Sequence, residues 1–356
     1  MTNNTNFYVD IHALQTVPPS CVNRDDTGSP KTAVYGGAPR ARVSSQAWKR
    51  AMRLMFRDLF SEEELGKRTK RIVAMVAQEI SALDSALDGE ELAQKALENA
   101  GLKIKEPEKV TDALFFMSRA QGAALAALAV EGNADKKAYK EALAANPSVD
   151  MALFGRMVAK DQLLNYDAAA QVAHSISTHA VHNEYDYFTA VDDCSPGDNA
   201  GAGHLGTVEF NSSTLYRYAT VNVMELAGLL GAEAAPRVVR GFVEAFVRSM
   251  PTGKQNTFAN RTLPDAVYVA LRTDQPVNLS GAFEKPVVSK NGYVEESEAR
   301  LTAYAEKTYA EYVEPPYLAF CVGEAFGKIA QPMPFSGLLD AVEAATDARL
   351  RGSEVS

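Results

Sequence analysis

Near the N-terminus apolar and polar positions alternate, with Phe7, Val9, Ile11 and Ala13 on one side, which predicts a half-buried strand. Prolines and glycines then crowd residues 17–43 (Pro18, Pro19, Gly28, Pro30, Gly36, Gly37, Pro39) and predict a loop. Ser44 and Ser45 are candidate N-caps for a helix reaching to about residue 60. On a helical wheel Trp48, Ala51, Met52, Met55 and Leu59 share one side of it, and Gln46, Lys49, Arg50, Arg53 and Arg57 share the other. Residues 61–145, rich in Ala, Leu, Glu and Lys, predict three or four helices separated by charged spacers such as Glu62-Glu63-Glu64. After Pro147 the pattern changes: 151–158 reads as strand, and 172–191 alternates and is rich in His, Tyr and Thr. Four glycines and a proline within 195–206 mark a loop or hairpin tip. Strands at 214–223 and 266–272 and helices at 236–250, 296–312 and 335–350 complete the reading.

Composition narrows the class. The chain has 356 residues, 46% apolar and 23% charged, which suits a folded globular protein of about two domains, or one with a large insertion. No apolar run approaches the ~18 residues of a membrane span, and the longest, 122–130, is broken by Glu131 and Gly132. Residues 1–10 are polar and then strand-like, unlike a signal peptide. Cys21, Cys194 and Cys321 make no disulfide framework and suit a reducing cytoplasm. With the long insertions set aside, the order is strand, helix, strand, strand, helix, strand, that of a ferredoxin-like, RRM-like unit. The expected fold class is therefore α+β.

A net charge of −9 argues against nucleic acid only if charge is evenly spread. It is not. Residues 31–57 contain Lys31, Arg40, Arg42, Lys49, Arg50, Arg53 and Arg57 and no acidic residue, so 27 residues carry +7 and the other 329 carry −16. Local potential, not total charge, steers a ligand. Without interleaved acids the helix has no i,i+4 ion pairs, and its like charges repel until an anion neutralises them. Ser44, Ser45 and Gln46 add neutral donors at its N-terminus, where free N–H groups favour phosphate, and Gly36-Gly37 permits close backbone approach. Met157, Tyr185, Tyr187, Phe188 and Leu205 are candidates to stack on or wedge between bases.

Other motifs carry competing readings. Gly201-Ala202-Gly203-His204-Leu205-Gly206 matches G-x-G-x-x-G, but a polar loop precedes it and a strand-like run follows, so a hairpin tip fits better than a dinucleotide site. His174, His179, His182 and His204, with Cys194 and Asp192 or Asp193, lack the spacing of a metal site and read as structural or surface residues. Asp25 and Asp26 beside Arg24 read as turn formers, with a metal-dependent ribonuclease as the alternative.

The strand ending at His12, then Pro19-Ser20-Cys21-Val22-Asn23-Arg24-Asp25-Asp26, Gly36-Gly37 and Arg42-Val43-Ser44-Ser45-Gln46-Ala47-Trp48-Lys49-Arg50-Ala51-Met52-Arg53 closely resemble the backbone subunits of type I-E CRISPR Cascade, the CasC family. Phe154-Gly155-Arg156-Met157, Ala173-His174-Ser175-Ile176-Ser177-Thr178-His179, Phe188-Thr189-Ala190-Val191-Asp192-Asp193, His204-Leu205-Gly206-Thr207 and Ala282-Phe283-Glu284-Lys285 continue the likeness in order. Tyr187 stands where the family often has Trp. The resemblance implies an RRM-like palm with helical fingers and a long β-hairpin thumb. The boundaries would be 1–60 for the first palm segment, 61–147 for the fingers, 148–180 for palm strands, 181–211 for the thumb and 212–356 for the remainder. It implies a non-enzymatic protein without metal or cofactor that stacks in several copies along a CRISPR guide RNA and kinks it at intervals. Its partners would be the guide, further copies, other Cascade subunits and the paired target DNA strand. Arg24, Lys31, Arg40, Arg42, Ser44, Gln46, Lys49, Arg50 and Arg53 would then lie along the guide backbone. Arg156 and Met157 would lie at the kink, with Phe188 and Leu205 as thumb wedges.

Overall fold

In a computed structural model of the chain, residues 6–159, 161–190, 194 and 204–352 are described. They fall into two compact units, one drawn from 1–52, 172–220 and 242–342, the other from 53–171, 221–241 and 343–356. The class is α+β, with a mostly antiparallel central sheet.

The first unit begins with β1 (Tyr8–Ser20), in which Val9, Ile11 and Ala13, like Phe7 just before it, are buried as the alternation requires. The intervening Asp10, His12 and Leu14 are buried too, so this strand is covered on both faces rather than half-buried. β2 (Thr32–Tyr35) and β3 (Ala38–Val43) form an antiparallel hairpin inside the stretch expected as loop. Its Pro39 lies opposite Val34 near the sheet edge, where a residue without an N–H is tolerated. α1 (Ser45–Leu59) follows.

The second unit holds β4 (Lys67–Thr69), α2 (Ile72–Leu83), α3 (Gly89–Asn99), β5 (Ile104–Lys105), β6 (Val110–Thr111), β7 (Phe115–Met117), α4 (Arg119–Val130), α5 (Lys136–Ala144) and α6 (Val149–Phe154). Ile72, Val76, Ile80, Leu97, Leu125 and Leu143 fill its core. α6 corrects the strand expected at 151–158. A short apolar run does not distinguish a buried strand from a buried helix, and here Ser148 precedes the helix while Gly155, at φ +77°, ends it.

The chain continues through β8 (Ala170–Val172), β9 (Ser175–Ser177), β10 (Glu184–Ala190), β11 (His204–Asn222), α7 (Val223–Leu230), α8 (Ala235–Arg248), α9 (Gln255–Phe258), β12 (Ala266–Arg272), α10 (Val294–Glu311), β13 (Leu318–Val322), β14 (Gln331–Pro332) and α11 (Phe335–Arg351). The central sheet runs β14-β13-β12-β1-β11-β9-β3-β2. β1 pairs antiparallel with β12, Tyr8 opposite Arg272 and Leu14 opposite Ala266. β11 is long enough to serve twice: its first residues pair with β10, and Leu215 and Tyr216 pair with β9 in the central sheet.

Beneath the sheet, Leu14, Tyr216, Tyr218, Tyr268, Phe283, Leu301 and Phe326 form the core of the first unit. Buried polar groups in and beside it are joined by hydrogen bonds, although His12 Nε2 has no partner among the described residues. Tyr216 Oη lies 2.8 Å from His12 Nδ1, Tyr218 donates to Asp10 Oδ1 at 3.0 Å, and the Val277 N–H donates to Asp10 Oδ2 at 2.7 Å. Burial raises the Asp10 pKa to about 6 and, with Arg272 adding to the effect, lowers that of His12 to about 3.

Candidate nucleic-acid interface

The basic helix is fixed by its buried side. Ser44 caps it, accepting from the Ala47 N–H at 3.3 Å, and the Ser44 N–H donates to Asn23 Oδ1 at 2.9 Å, tying the preceding loop to the helix start. Trp48 is buried and its Nε1–H donates to Ser175 Oγ at 2.9 Å. Arg217 stacks 3.7 Å from the Trp48 ring centroid and donates to Gln15 Oε1 at 2.5 Å and to the Phe246 carbonyl. Burial draws the Arg217 pKa down to about 9. This buried guanidinium stiffens the base of α1, and Gln46, Arg50 and Arg57 stand exposed on the outer side, with Lys49 and Arg53 half-buried. Burial also pulls the Lys49 pKa below its ordinary value.

A second group of cations lies on the hairpin. Arg42 donates from Nε to the Thr32 carbonyl at 3.1 Å and from Nη1 to His174 Nδ1 at 3.1 Å. A guanidinium only donates, so Nδ1 of His174 accepts and the imidazole is neutral. Burial and the charges of Arg42 and Lys31 lower its pKa, which keeps it so. Lys31 is half-buried and Arg24 exposed on the loop before it. On that loop Asp25 Oδ1 accepts from the Thr27 N–H, the Thr27 hydroxyl and the Ser29 N–H at 2.9, 2.7 and 3.0 Å, the bonding of a turn former. These bonds lower its pKa, that from the Thr27 hydroxyl most.

Three of the expected guide contacts are engaged elsewhere. Arg40 is fully buried, donating to the carbonyls of Ser177 at 2.8 Å, Phe283 at 2.8 Å and Glu284 at 3.2 Å. Arg156 is 5% exposed, and it donates to the carbonyls of Leu164, Phe116 and Leu143 and to Gln121 Oε1 at 2.7–3.1 Å. Both guanidiniums hold backbone in the interior and have no path to a phosphate. Arg53 is ion-paired to buried Asp150 at 2.8 Å but keeps a quarter of its side chain exposed. Met157, beside Arg156, is 88% exposed. Gly36 also has a different use from the one expected. At φ +58° it lies against residue 284, where a Cβ would come within 1.6 Å of the Glu284 carbonyl oxygen, so its close approach is to protein.

The hairpin pairs Phe188 with Gly206 and Thr189 with Leu205. Directly opposed residues share a face and neighbours alternate. Phe188 and Leu205, the expected thumb wedges, therefore stand on opposite faces of the ribbon. Phe188 lies across Gly206, where a Cβ would meet its ring at 2.4 Å, and Leu205 shares its face with Tyr187 and Tyr185. All four side chains are 40% or more exposed. Residues 191–193 and 195–203, and with them the first half of the G-x-G-x-x-G motif, Asp192 and Asp193, lie outside the described residues.

Among the described residues no group of three or more His, Cys, Asp or Glu is placed to hold a metal ion. His179 is structural: its Nε2 accepts from the Thr214 N–H at 3.1 Å, its Nδ1 bonds the Ala180 carbonyl at 2.9 Å, and its ring stacks 3.6 Å from that of Tyr293. No helix among the described residues is long and apolar enough to cross a membrane.

The sequence matches the family described as CT1975-like protein over residues 9–335. The chain belongs to the CT1975-like family. One similar solved structure is a chain of a "CRISPR RNA-guided surveillance complex, pre-nicking", 33% identical, with a TM-score of 0.81 and coverage of 95% of this chain and 100% of that one. Another, from a "CRISPR RNA-guided surveillance complex", is 31% identical, with a TM-score of 0.64 and coverage of 95% and 99%. No curated protein matches the chain in sequence.

For this CT1975-like chain the geometry explains motifs that sequence could only match. Ala282-Phe283-Glu284-Lys285 receives the β2–β3 hairpin, through Arg40 and the approach of Gly36 to Glu284. His174 orients Arg42. Residues the sequence reading missed are Arg217, which braces Trp48, and Asp150, which holds Arg53. Neither lies near its partner in sequence, so no local pattern signals it.

Proposed function

We propose that this chain is a non-enzymatic, guide-RNA-binding backbone subunit of a cytoplasmic CRISPR surveillance complex of the Cascade kind. Several copies stack along the guide, kink it at regular intervals and support its pairing with target DNA. The observation that carries the reading is the acid-free basic side of α1, exposed at Gln46, Arg50 and Arg57 and joined on the hairpin by Lys31 and Arg42. Such a surface takes phosphates and 2′-hydroxyls and leaves base edges free, as a guide that must pair with any target requires.

The order β12-β1-β11-β9, with α1 after the first of these strands in sequence and α8 after the third, supports an RRM-like palm. The α2–α5 cluster supports fingers within 61–147, and the β10–β11 ribbon supports a thumb within 181–211. Arg24, Lys31, Arg42, Ser44, Gln46, Lys49, Arg50 and Arg53 remain the guide-backbone residues of this reading. Met157 belongs to the kink, with Phe188 and Leu205 as wedges acting from two faces.

The rival is an Mg2+-dependent ribonuclease using Asp25 and Asp26. Single-stranded RNA incubated with the protein and Mg2+ should stay intact and bound, and Asp25→Asn/Asp26→Asn should bind it equally. Shortened RNA that appears only with Mg2+ and disappears in the double variant would replace the binding reading with the ribonuclease.

A further inference from the structure

The second unit carries a basic run of its own, Lys67-Arg68-Thr69-Lys70-Arg71, without an acidic residue. β4 pairs antiparallel with β7 and sets Arg68 opposite Phe116. The Arg68 guanidinium lies 5.0 Å from the Phe116 ring centroid and that of Arg53 lies 4.7 Å from the same centroid. Both cations are thus drawn to one ring, and one carboxylate serves them. Asp150 takes Arg53 at 2.8 Å and spends its remaining acceptor capacity on the Gly66 N–H at 2.9 Å and the Ser148 hydroxyl at 2.8 Å. One negative charge faces two positive ones. Burial first and the neighbouring Arg53 charge second lower the Arg68 pKa, against the opposing effect of Asp150. Lys67 is paired with Glu62 at 2.8 Å, whereas Arg68 is exposed and forms no ion pair within 4 Å among the described residues.

We propose that Arg53 and Arg68, held against Phe116, form a phosphodiester-binding pair in the second unit, occupied by the guide RNA backbone, with Asp150 as the positioning residue that holds Arg53. This rests on the RNA-binding reading above and extends it to a residue outside the basic helix. Arg53 has Nε and Nη2 engaged by Asp150 and the Gly66 carbonyl, so its remaining N–H donors and the fork of Arg68, gathered at one ring, suit the non-bridging oxygens of a phosphate. Phe116 is 3% exposed, so its ring orients the cations and is closed to a base. The pair therefore binds backbone without reading sequence.

The test is the salt dependence of single-stranded RNA binding by the full chain as wild type, Lys49→Ala, Arg68→Gln, Arg68→Lys and Arg68→Glu, with a thermal melt of each. Each lost phosphate contact flattens the log–log slope by ~0.7. Arg68→Gln should flatten it by that amount with its melt unchanged, Arg68→Lys should keep the wild-type slope, and Arg68→Glu should bind more weakly than Arg68→Gln. If Lys49→Ala flattens the slope while all three Arg68 variants keep it, the pair is overturned and RNA binding stands. A shifted melt with an unchanged slope would make Arg68 a cover for Phe116 and nothing more. If the wild type itself does not bind RNA, both readings fall together.

Discussion

A guanidinium in a protein interior survives only among acceptors, and Arg156 has four of them. Replacing it with Ala strands the carbonyls of Leu164, Phe116 and Leu143 and the Gln121 side chain. The expected cost is about 3 kcal/mol or more, read as a lower urea midpoint. The salt slope of RNA binding by the folded variant should be unchanged; a flattened slope at unchanged stability would return Arg156 to the RNA surface. Burial has already brought its pKa down to about 10 without removing its charge at neutral pH. Along the chain Arg40 and Arg156 look no different from Arg42 and Arg50, because a charge count carries no information about burial. What separates them is tertiary: Arg40 reaches carbonyls at 177, 283 and 284, more than 130 residues away. The sequence therefore reveals that the segment is basic, and the structure sorts its cations into those that hold backbone and those that face outward.

At the level of elements, α1 is readable because amphipathicity, a cap and a buried Trp all agree. The apolar stretch 151–158 is not, since four or five consecutive apolar residues satisfy helix and strand alike, and the loop expected at 17–43 hides a hairpin whose Gly36, Gly37 and Pro39 mimic loop composition. The ribbon of β10 and β11 was legible as a hairpin, but its facing was not, since register decides which residues share a side. That facing has a consequence for binding. Phe188→Ala and Leu205→Ala should each weaken single-stranded RNA binding, the Phe188 change by ~1–3 kcal/mol if its ring stacks on a base. Neither should alter the salt slope. Because the two side chains occupy opposite faces, the double variant should lose the sum of the single losses. A double variant no weaker than either single one would mean that they act as one wedge.

At the scale of the whole molecule, stability and binding answer to different groups. His12, with its folded pKa lowered to about 3, contributes stability that is present above its unfolded value of 6.5 and is lost as pH falls through 3. Asp10, raised to about 6 from 3.8, acts oppositely: its contribution is full below 3.8 and lost as pH rises through 6. Between pH 3.8 and 6 the two slopes oppose one another. Asp10→Asn removes one, so its unfolding free energy should drop on acidification across that window more steeply than that of the wild type, by about 1.4 kcal/mol per pH unit. Parallel urea-derived curves for the two proteins would contradict this. RNA binding should instead depend on the outward cations of an otherwise acidic chain. The most direct test is the salt dependence of single-stranded RNA affinity for the wild type and Lys49→Ala/Arg50→Ala. Tight, sequence-tolerant binding whose log–log slope flattens by ~1.4 in the double variant is the predicted result. Equal affinity and equal slope in the two proteins would mean that the basic side of α1 is a solvated surface, and would contradict the account.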